Sequence, residues 1–147
     1  MNQNNYGNIV EQIGWTILYF STLEHYACEV IARLEGITDK KESLKFIKEN
    51  LYPKDYSSRK IMKRLESKIS DSGEIIEHYR KAKELRDDVA HAYLGSNSED
   101  TGEKVFLLNA AGDEPVNLIE HIEKLRIYRN FVIKRFESIV ELEEAEL

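Results

Sequence analysis

Cysteine and proline are nearly absent from this chain of 147 residues, which has one cysteine, Cys28, and two prolines. A single cysteine excludes an internal disulfide framework and a cysteine cage for a metal ion. Because Cys28 lies in an apolar helical run, we expect it to be a buried structural thiol. With two prolines and only seven glycines, the chain has few helix breakers, and this scarcity favours long helices.

Long apolar runs and an excess of positive charge are missing as well. The longest run begins with WTILYF at Trp15, is too short to cross a bilayer, and is followed by Glu24. The first residues carry no basic segment, so we expect no secretory signal and a cytoplasmic protein. A net charge of −6 argues against indiscriminate binding to nucleic acid.

Helical periodicity dominates what is present. Apolar residues recur every three or four positions from about 8 to 34, and Gly36 is placed to end this first helix. Polar residues that suit helix N-termini precede the later apolar stretches. The N-caps predicted in this way are Asp39, Ser57 or Ser58, Ser72 or Gly73, and Asn117.

The pattern changes between the fourth helix and the last one. KVFLLN at 104–109 and AAGDEPVN at 110–117 predict a short strand, a turn and a second extended piece. We interpret them as a small β-hairpin, with an ordered loop as the alternative. The sequence therefore predicts one domain over residues 1–147, an all-α bundle of four or five helices with this insertion before the long C-terminal helix.

The fourth helix contains the segment KELRDDVAHAYLG at 83–95. On a wheel of about 100° per residue, Arg86 falls on the apolar arc, one heptad from both Tyr79 and Tyr93. An arginine removed from water needs partners for its guanidinium. Either its stem packs on the tyrosines while its head reaches water or a carboxylate, or the arc also faces a second protomer and places Arg86 in a cleft.

His91 has a different position on the same helix. It lies about 140° round from Arg86, on the polar side. Asp87 and Asp88 precede it by four and three residues, and nearby carboxylates favour the imidazolium, which suits an acid–base group. A solvated surface histidine is the alternative.

The other histidines offer a weaker signal. His25, His78 and His121 lie on three different predicted helices, each beside a glutamate. A metal site would need them to converge, and nothing in their spacing requires it. We therefore expect no metal site.

The segment ELRDDVAHAY, in a late helix of a small all-α bundle, resembles the HEPN superfamily. The signature of that family is an arginine, four to six residues and then a histidine, with a polar residue usually following the arginine. Arg86, Asp87 and His91 match these three positions. His91 and Tyr93 also match the Arg-x4-His-x-Tyr form of HEPN toxins paired with nucleotidyltransferase antitoxins. The resemblance covers most of the chain.

The resemblance implies a metal-independent endoribonuclease that needs no cofactor. In that mechanism the RNA 2′-hydroxyl attacks the adjacent phosphate and leaves a cyclic phosphate and a 5′-hydroxyl. His91 would be the acid–base group, Arg86 would clamp the phosphate, and Asp87 would orient one of them. The resemblance further implies a homodimer, a toxin or antiphage role in the cytoplasm, and an antitoxin partner, for which a nucleotidyltransferase is one option.

Several side chains are candidates for contact with RNA. Tyr93 would stack on a base or accept a nucleotidyl group, or else it anchors the helix to the core. Basic residues flank the motif and would form a rim that follows the phosphates, unless they are a solvated charged surface. These residues are Arg59, Lys63, Arg64, Arg80 and Lys83.

Two other functions stay open beside the nuclease. One is a catalytically inactive HEPN-like bundle that binds a nucleotide or regulates a partner. The other is a helical interaction or immunity protein without a role in nucleic-acid chemistry. In that protein Arg86 and His91 would be structural.

Overall fold

The computed structural model describes residues 3–51, 58–97, 104–109 and 114–146. In this part of the chain there are five helices, and a two-stranded antiparallel sheet lies between the fourth and the fifth. The elements are α1 (Gln3–Leu34), α2 (Lys40–Phe46), α3 (Ser58–Lys68), α4 (Gly73–Ala90), β1 (Tyr93–Asn97), β2 (Lys104–Leu108) and α5 (Leu118–Glu146). The predicted all-α bundle with a small hairpin before the C-terminal helix is confirmed.

Side-chain caps begin two of the helices where the sequence predicts them. The Asp39 carboxylate accepts a hydrogen bond from the backbone N–H of Glu42 at 3.1 Å, and the Asn117 side chain accepts one from that of Glu120 at 3.2 Å. Ser72 is the N-cap of α4, although its hydroxyl makes no capping bond. After α2 the chain widens into one π-helical turn, Ile47–Leu51.

Gly36 ends α1 in the left-handed conformation, with φ of 87°. The backbone N–H of Ile37 then reaches back to the carbonyl of Ala32 at 3.1 Å, and that of Gly36 reaches Arg33 at 2.9 Å. This is the Schellman arrangement, which satisfies carbonyl groups that the helix end would leave without partners. The predicted helix end at Gly36 is confirmed.

Alanine at position 36 should therefore destabilise the protein. We expect Gly36→Ala to lower the free energy of unfolding by about 1 kcal/mol, because a Cβ is disfavoured at this positive φ. Urea denaturation measures the change. Gly73→Ala is the matched control, since Gly73 begins α4 without a positive φ and a Cβ there would meet no atom within 4 Å. An equal loss in the two variants would contradict the explanation.

The core lies around α1, which packs against both α4 and α5. Successive contacts join Tyr19 to Arg126 and Tyr26 to Phe136, so α5 runs alongside α1 in the same direction. The largest fully buried side chains come from every helix except α2, which adds the flanking π-turn residue Leu51. Besides Leu51 they include Leu23, Ile31, Ile61, Leu65, Tyr79, Leu125, Val132 and Phe136. Cys28 is buried too, as predicted.

The predicted extent of the fourth helix is wrong at its C-terminal end. The wheel placed Tyr93 on the helix, whereas α4 ends at Ala90, His91 caps it, and Tyr93 pairs with Leu108 in the sheet. Gly95 is a poor helix former. Leu107 packs on Val89 in a small second cluster, and this contact holds the strands against the end of α4.

The composition of the hairpin also differs from the prediction. The sequence paired 104–109 with 110–117, but β2 forms its ladder with 93–97. Of the predicted pairing there remain an isolated bridge between Leu108 and Pro115 and a 2.7 Å bond from the N–H of Val116 to the carbonyl of Leu107. Residues 110–113 of the predicted turn lie outside the described residues. Across the described part, no helix has the length and apolarity needed to cross a membrane.

Candidate functional site

Arg86 lies on the last turns of α4 and faces α1. Its guanidinium carbon is 4.9 Å from the centroid of the Phe20 ring, and Nη2 is 3.1 Å from a carboxylate oxygen of Asp87. The side chain is 28% exposed, and its buried Nε has no hydrogen-bond partner among the described residues. Arg86 therefore packs on Phe20, a residue of α1. The helical wheel had predicted packing on tyrosines of its own helix.

Asp87 joins two cations. One of its carboxylate oxygens contacts Arg86, and the other accepts a 2.7 Å hydrogen bond from the ammonium of Lys83, four residues earlier. The carboxylate thereby fixes the guanidinium on its ring. Lys83, predicted as an RNA contact, is engaged in this ion pair in the free chain.

His91 is the C-cap of α4, and its side chain is exposed. Its backbone N–H bonds to the carbonyl of Asp87 at 2.9 Å. Among the described residues the imidazole has no hydrogen bond or ion pair, because Asp87 binds Lys83 and Arg86 while Asp88 lies 3.5 Å from His121. The two predicted carboxylate neighbours of His91 therefore bind other groups.

One chain does not bring Arg86 and His91 together. The arginine is directed at Phe20 between α4 and α1, and the histidine extends into solvent beyond the end of the helix. Five residues of helix separate their directions by about 140°. The two side chains of one chain therefore point in different directions.

Tyr93 is 48% exposed and lies on β1, two residues after His91. The alternative in which it anchors the helix to the core is wrong, because the residue is neither helical nor buried. An exposed ring at this position is accessible to a base or to a modifying enzyme.

The basic residues predicted to form a rim lie on two helices, α3 and α4. Arg80 pairs with Glu77 at 2.8 Å and Arg64 pairs with Glu35 at 3.5 Å. Lys83 pairs with Asp87, whereas Arg59 and Lys63 are exposed on α3 and have no ion pair within the described ranges. In the free chain these side chains do not form one continuous cationic surface with Arg86.

The remaining histidines, His25 and His78, contact neighbouring side chains away from the motif. The ring of His78 stacks on Phe131 at 3.8 Å, and His25 pairs with Glu29 at 3.0 Å. Within the described residues there is no group of three His, Cys, Asp or Glu side chains that could hold a metal ion.

A groove of about 220 Å³ lies between α4 and α5. Its walls carry charges of both signs, and the pKa of Lys124 is raised because Glu120 accepts a hydrogen bond from its ammonium. Lys81, Asp88 and Lys124 each pair with a residue outside the groove, so its walls favour no ligand of either sign. The groove is lined by Lys81, Glu84, Leu85, Asp88, Lys124 and Tyr128.

An uncovered apolar surface lies on the N-terminal half of α1. The same side of the helix is buried in its C-terminal half, where Cys28 and Ala32 have no exposed surface. Further toward the N-terminus its side chains are exposed, and a Cβ on Gly14 would meet no atom within 4 Å. We call this surface the α1 face and define it by Val10, Gly14, Ile17 and Leu18.

Comparison with known proteins gives no match, since no family model, no curated protein and no solved structure matches this chain.

Proposed function

We propose that the protein is a metal-independent endoribonuclease of HEPN type that acts as a homodimer. The observation that carries the proposal is the state of Arg86, whose guanidinium is held in place by Asp87 and Phe20 and is still partly exposed. A cation fixed before the substrate arrives costs little reorganisation when charge builds on a phosphate. The resemblance of the surrounding segment to the HEPN signature supplies the chemistry.

In this chemistry a base takes the proton of the RNA 2′-hydroxyl, the oxygen attacks the adjacent phosphorus, and the 5′-oxygen leaves with a proton. His91 is suited to the proton transfers, because its imidazole is exposed and makes no hydrogen bond among the described residues. Histidine is the side chain that most often acts as general acid and base in enzymes. Arg86 offers its planar fork to the two nonbridging oxygens, and Asp87 orients that fork.

A second protomer completes the site. Arg86 and His91 do not share a surface of one chain, so each site takes the arginine from one protomer and the histidine from the other. The α1 face supports such a dimer because an exposed apolar surface of this kind favours a partner. Ile17 lies one turn from Phe20 on α1, so the α1 face is next to the ring on which Arg86 packs. A two-fold axis through this face makes it self-complementary.

The same surface favours a second candidate function. A helical interaction or immunity protein would use the α1 face to bind a different protein. That function requires a chain that is monomeric alone and that does not cleave RNA. A role as a toxin or antiphage effector with an antitoxin follows from the family resemblance and belongs to the first proposal.

Cleavage in excess chelator tests the proposed function. We expect the purified protein to cut single-stranded RNA in the presence of EDTA, and the upstream fragments to end in a 2′,3′-cyclic phosphate. A substrate with 2′-deoxyribose at the cut position is the control and should stay intact, because it lacks the attacking hydroxyl. Cleavage that appears only with added metal, or that also cuts the deoxy substrate, would contradict the mechanism.

A further inference from the structure

Trp15 and Tyr19 form an aromatic stack on α1, in which Trp15 is exposed and Tyr19 is partly buried. They are one turn apart, their ring centroids are 5.5 Å from each other and the rings are inclined by 29°. The indole is 45% exposed. A large aromatic ring gains free energy when it is buried. The exposed indole is a flat apolar surface that a ligand can bury.

Two arginines of α5 are fixed against the same stack. The guanidinium carbons of Arg126 and Arg129 lie 5.2 and 5.8 Å from the centroid of the Tyr19 ring. Arg126 donates to the Tyr19 hydroxyl at 3.1 Å, and Arg129 donates to the Thr22 hydroxyl at 3.3 Å. Both side chains are therefore positioned by neutral groups.

No carboxylate of the described residues neutralises the positive charges of Arg126 and Arg129. Other arginines and lysines pair with acids, as Arg135 does with Glu74 at 2.7 Å. Arg126 and Arg129 have no ion pair with a carboxylate within the described part of the chain, although Glu123 lies one turn before Arg126. Glu11 accepts a 3.5 Å hydrogen bond from the Trp15 indole. In a protein of net charge −6, two fixed and unneutralised guanidiniums favour an anionic ligand.

We propose that Trp15, Tyr19, Arg126 and Arg129 form a binding surface for single-stranded nucleic acid. The Trp15 indole stacks on a base, and the two guanidiniums bind the phosphates on either side of it. Stacking platforms bordered by cations are how proteins bind single strands with little sequence preference. Tyr19 and Phe20 are adjacent and point about 100° apart on α1, so this surface lies beside α5, away from Arg86. The inference does not depend on the proposed nuclease activity.

The fluorescence of Trp15 tests the proposal directly, because it is the only tryptophan in the chain. The probe is a ten-residue oligodeoxythymidylate, which lacks the 2′-hydroxyl and cannot be cleaved by the proposed mechanism. We expect saturable quenching that weakens with salt. For two phosphate contacts on a single strand, the slope of log K against log salt is about −1.4.

Variants identify the residues that bind. We expect Trp15→Ala, followed by the anisotropy of a labelled oligonucleotide, to weaken binding by about fivefold or more, and Arg126→Ala with Arg129→Ala to abolish most of the salt dependence. Lys40→Ala with Lys41→Ala removes two exposed charges from α2 and should leave both quantities unchanged. The pair Arg126→Lys and Arg129→Lys keeps the charge and should retain most of the salt slope if the helices are intact.

Three results would overturn the proposal. One is the absence of quenching by the oligonucleotide, which would leave a protein partner as the ligand of this surface. The second is unchanged binding in Trp15→Ala, a substitution of an exposed ring that the core does not need. The third is an equal loss in the Lys40 and Lys41 variant. The probe cannot be cut by the proposed mechanism. These binding results can therefore be interpreted even if the nuclease assay fails.

Discussion

RNA cleavage in excess chelator should fall by about a hundredfold to ten-thousandfold in His91→Ala, the range expected when an acid–base group is lost. In Arg86→Ala we expect a loss of about a hundredfold or more, because a fixed donor to the developing charge disappears. Arg86→Lys keeps a positive charge but not the fork, and it should recover only part of the rate. Initial rates of cleavage at saturating RNA measure all three.

Matched controls separate chemistry from folding. His25→Ala and Arg135→Ala remove the same residue types from exposed positions, and both should cleave like the wild type. His25 pairs with Glu29, while Arg135 pairs with Glu74 and lies over the Phe131 ring, much as Arg86 lies over Phe20. Arg86→Ala also removes the packing on Phe20, so its urea denaturation must be followed beside its rate. His91 is exposed, so a stable but inactive His91→Ala is the decisive result. Wild-type rates in both site variants would defeat the proposed mechanism.

Local signals made most of the fold predictable. Helix caps depend on a few neighbouring residues, and the sequence placed Gly36, Asp39 and Asn117 correctly. The end of α4 was not predictable in the same way. Whether Tyr93 continues a helix or begins a strand depends on pairing with Leu108, and on the contact between Leu107 and Val89, which are distant along the chain. Helical periodicity contains no information about such contacts.

The candidate site shows the same division between local and distant information. The spacing predicted that Arg86 lies on the apolar side of its helix. It also predicted that the side chains of Arg86 and His91 point in different directions. The packing of Arg86 on Phe20 could not be predicted, because Phe20 is one of several apolar residues with the same periodicity on α1. Asp87 was predicted as an orienting group, but its pairing with Lys83 was missed even though an i, i+4 spacing is a recognised signal for an ion pair.

The aromatic–arginine cluster was missed for another reason. Trp15 and Tyr19 are one turn apart, which the sequence does show, but it cannot show that Arg126 and Arg129 lie on the same ring. Arg126 bonds to Tyr19 and Arg129 bonds to Thr22, and each bond joins residues that are 107 positions apart in the sequence. Only the parallel packing of α5 on α1 brings these pairs together.

Mixing two inactive variants should restore activity if each site is built from two chains. We expect Arg86→Ala and His91→Ala, unfolded together and refolded as an equal mixture, to recover about a quarter of the wild-type rate. Half of the dimers are then mixed, and each mixed dimer has one site with both Arg86 and His91 intact and one site with neither, as two-fold symmetry requires. Each variant refolded alone should stay inactive.

The α1 face supplies the control for this complementation. Ile17→Glu in both variants places a charge on a surface that the dimer must desolvate, so the recovered rate should disappear and sedimentation should show monomers. Leu44→Glu makes the same change at an exposed residue of α2, 49% exposed against 39% for Ile17, and should leave the recovery intact. No recovery in the parent mixture, with dimers still present by sedimentation, would mean that Arg86 and His91 do not act across the interface. Activity in a monomeric Ile17→Glu protein that retains both residues would exclude the dimer from the mechanism altogether, because a single chain directs the two side chains apart.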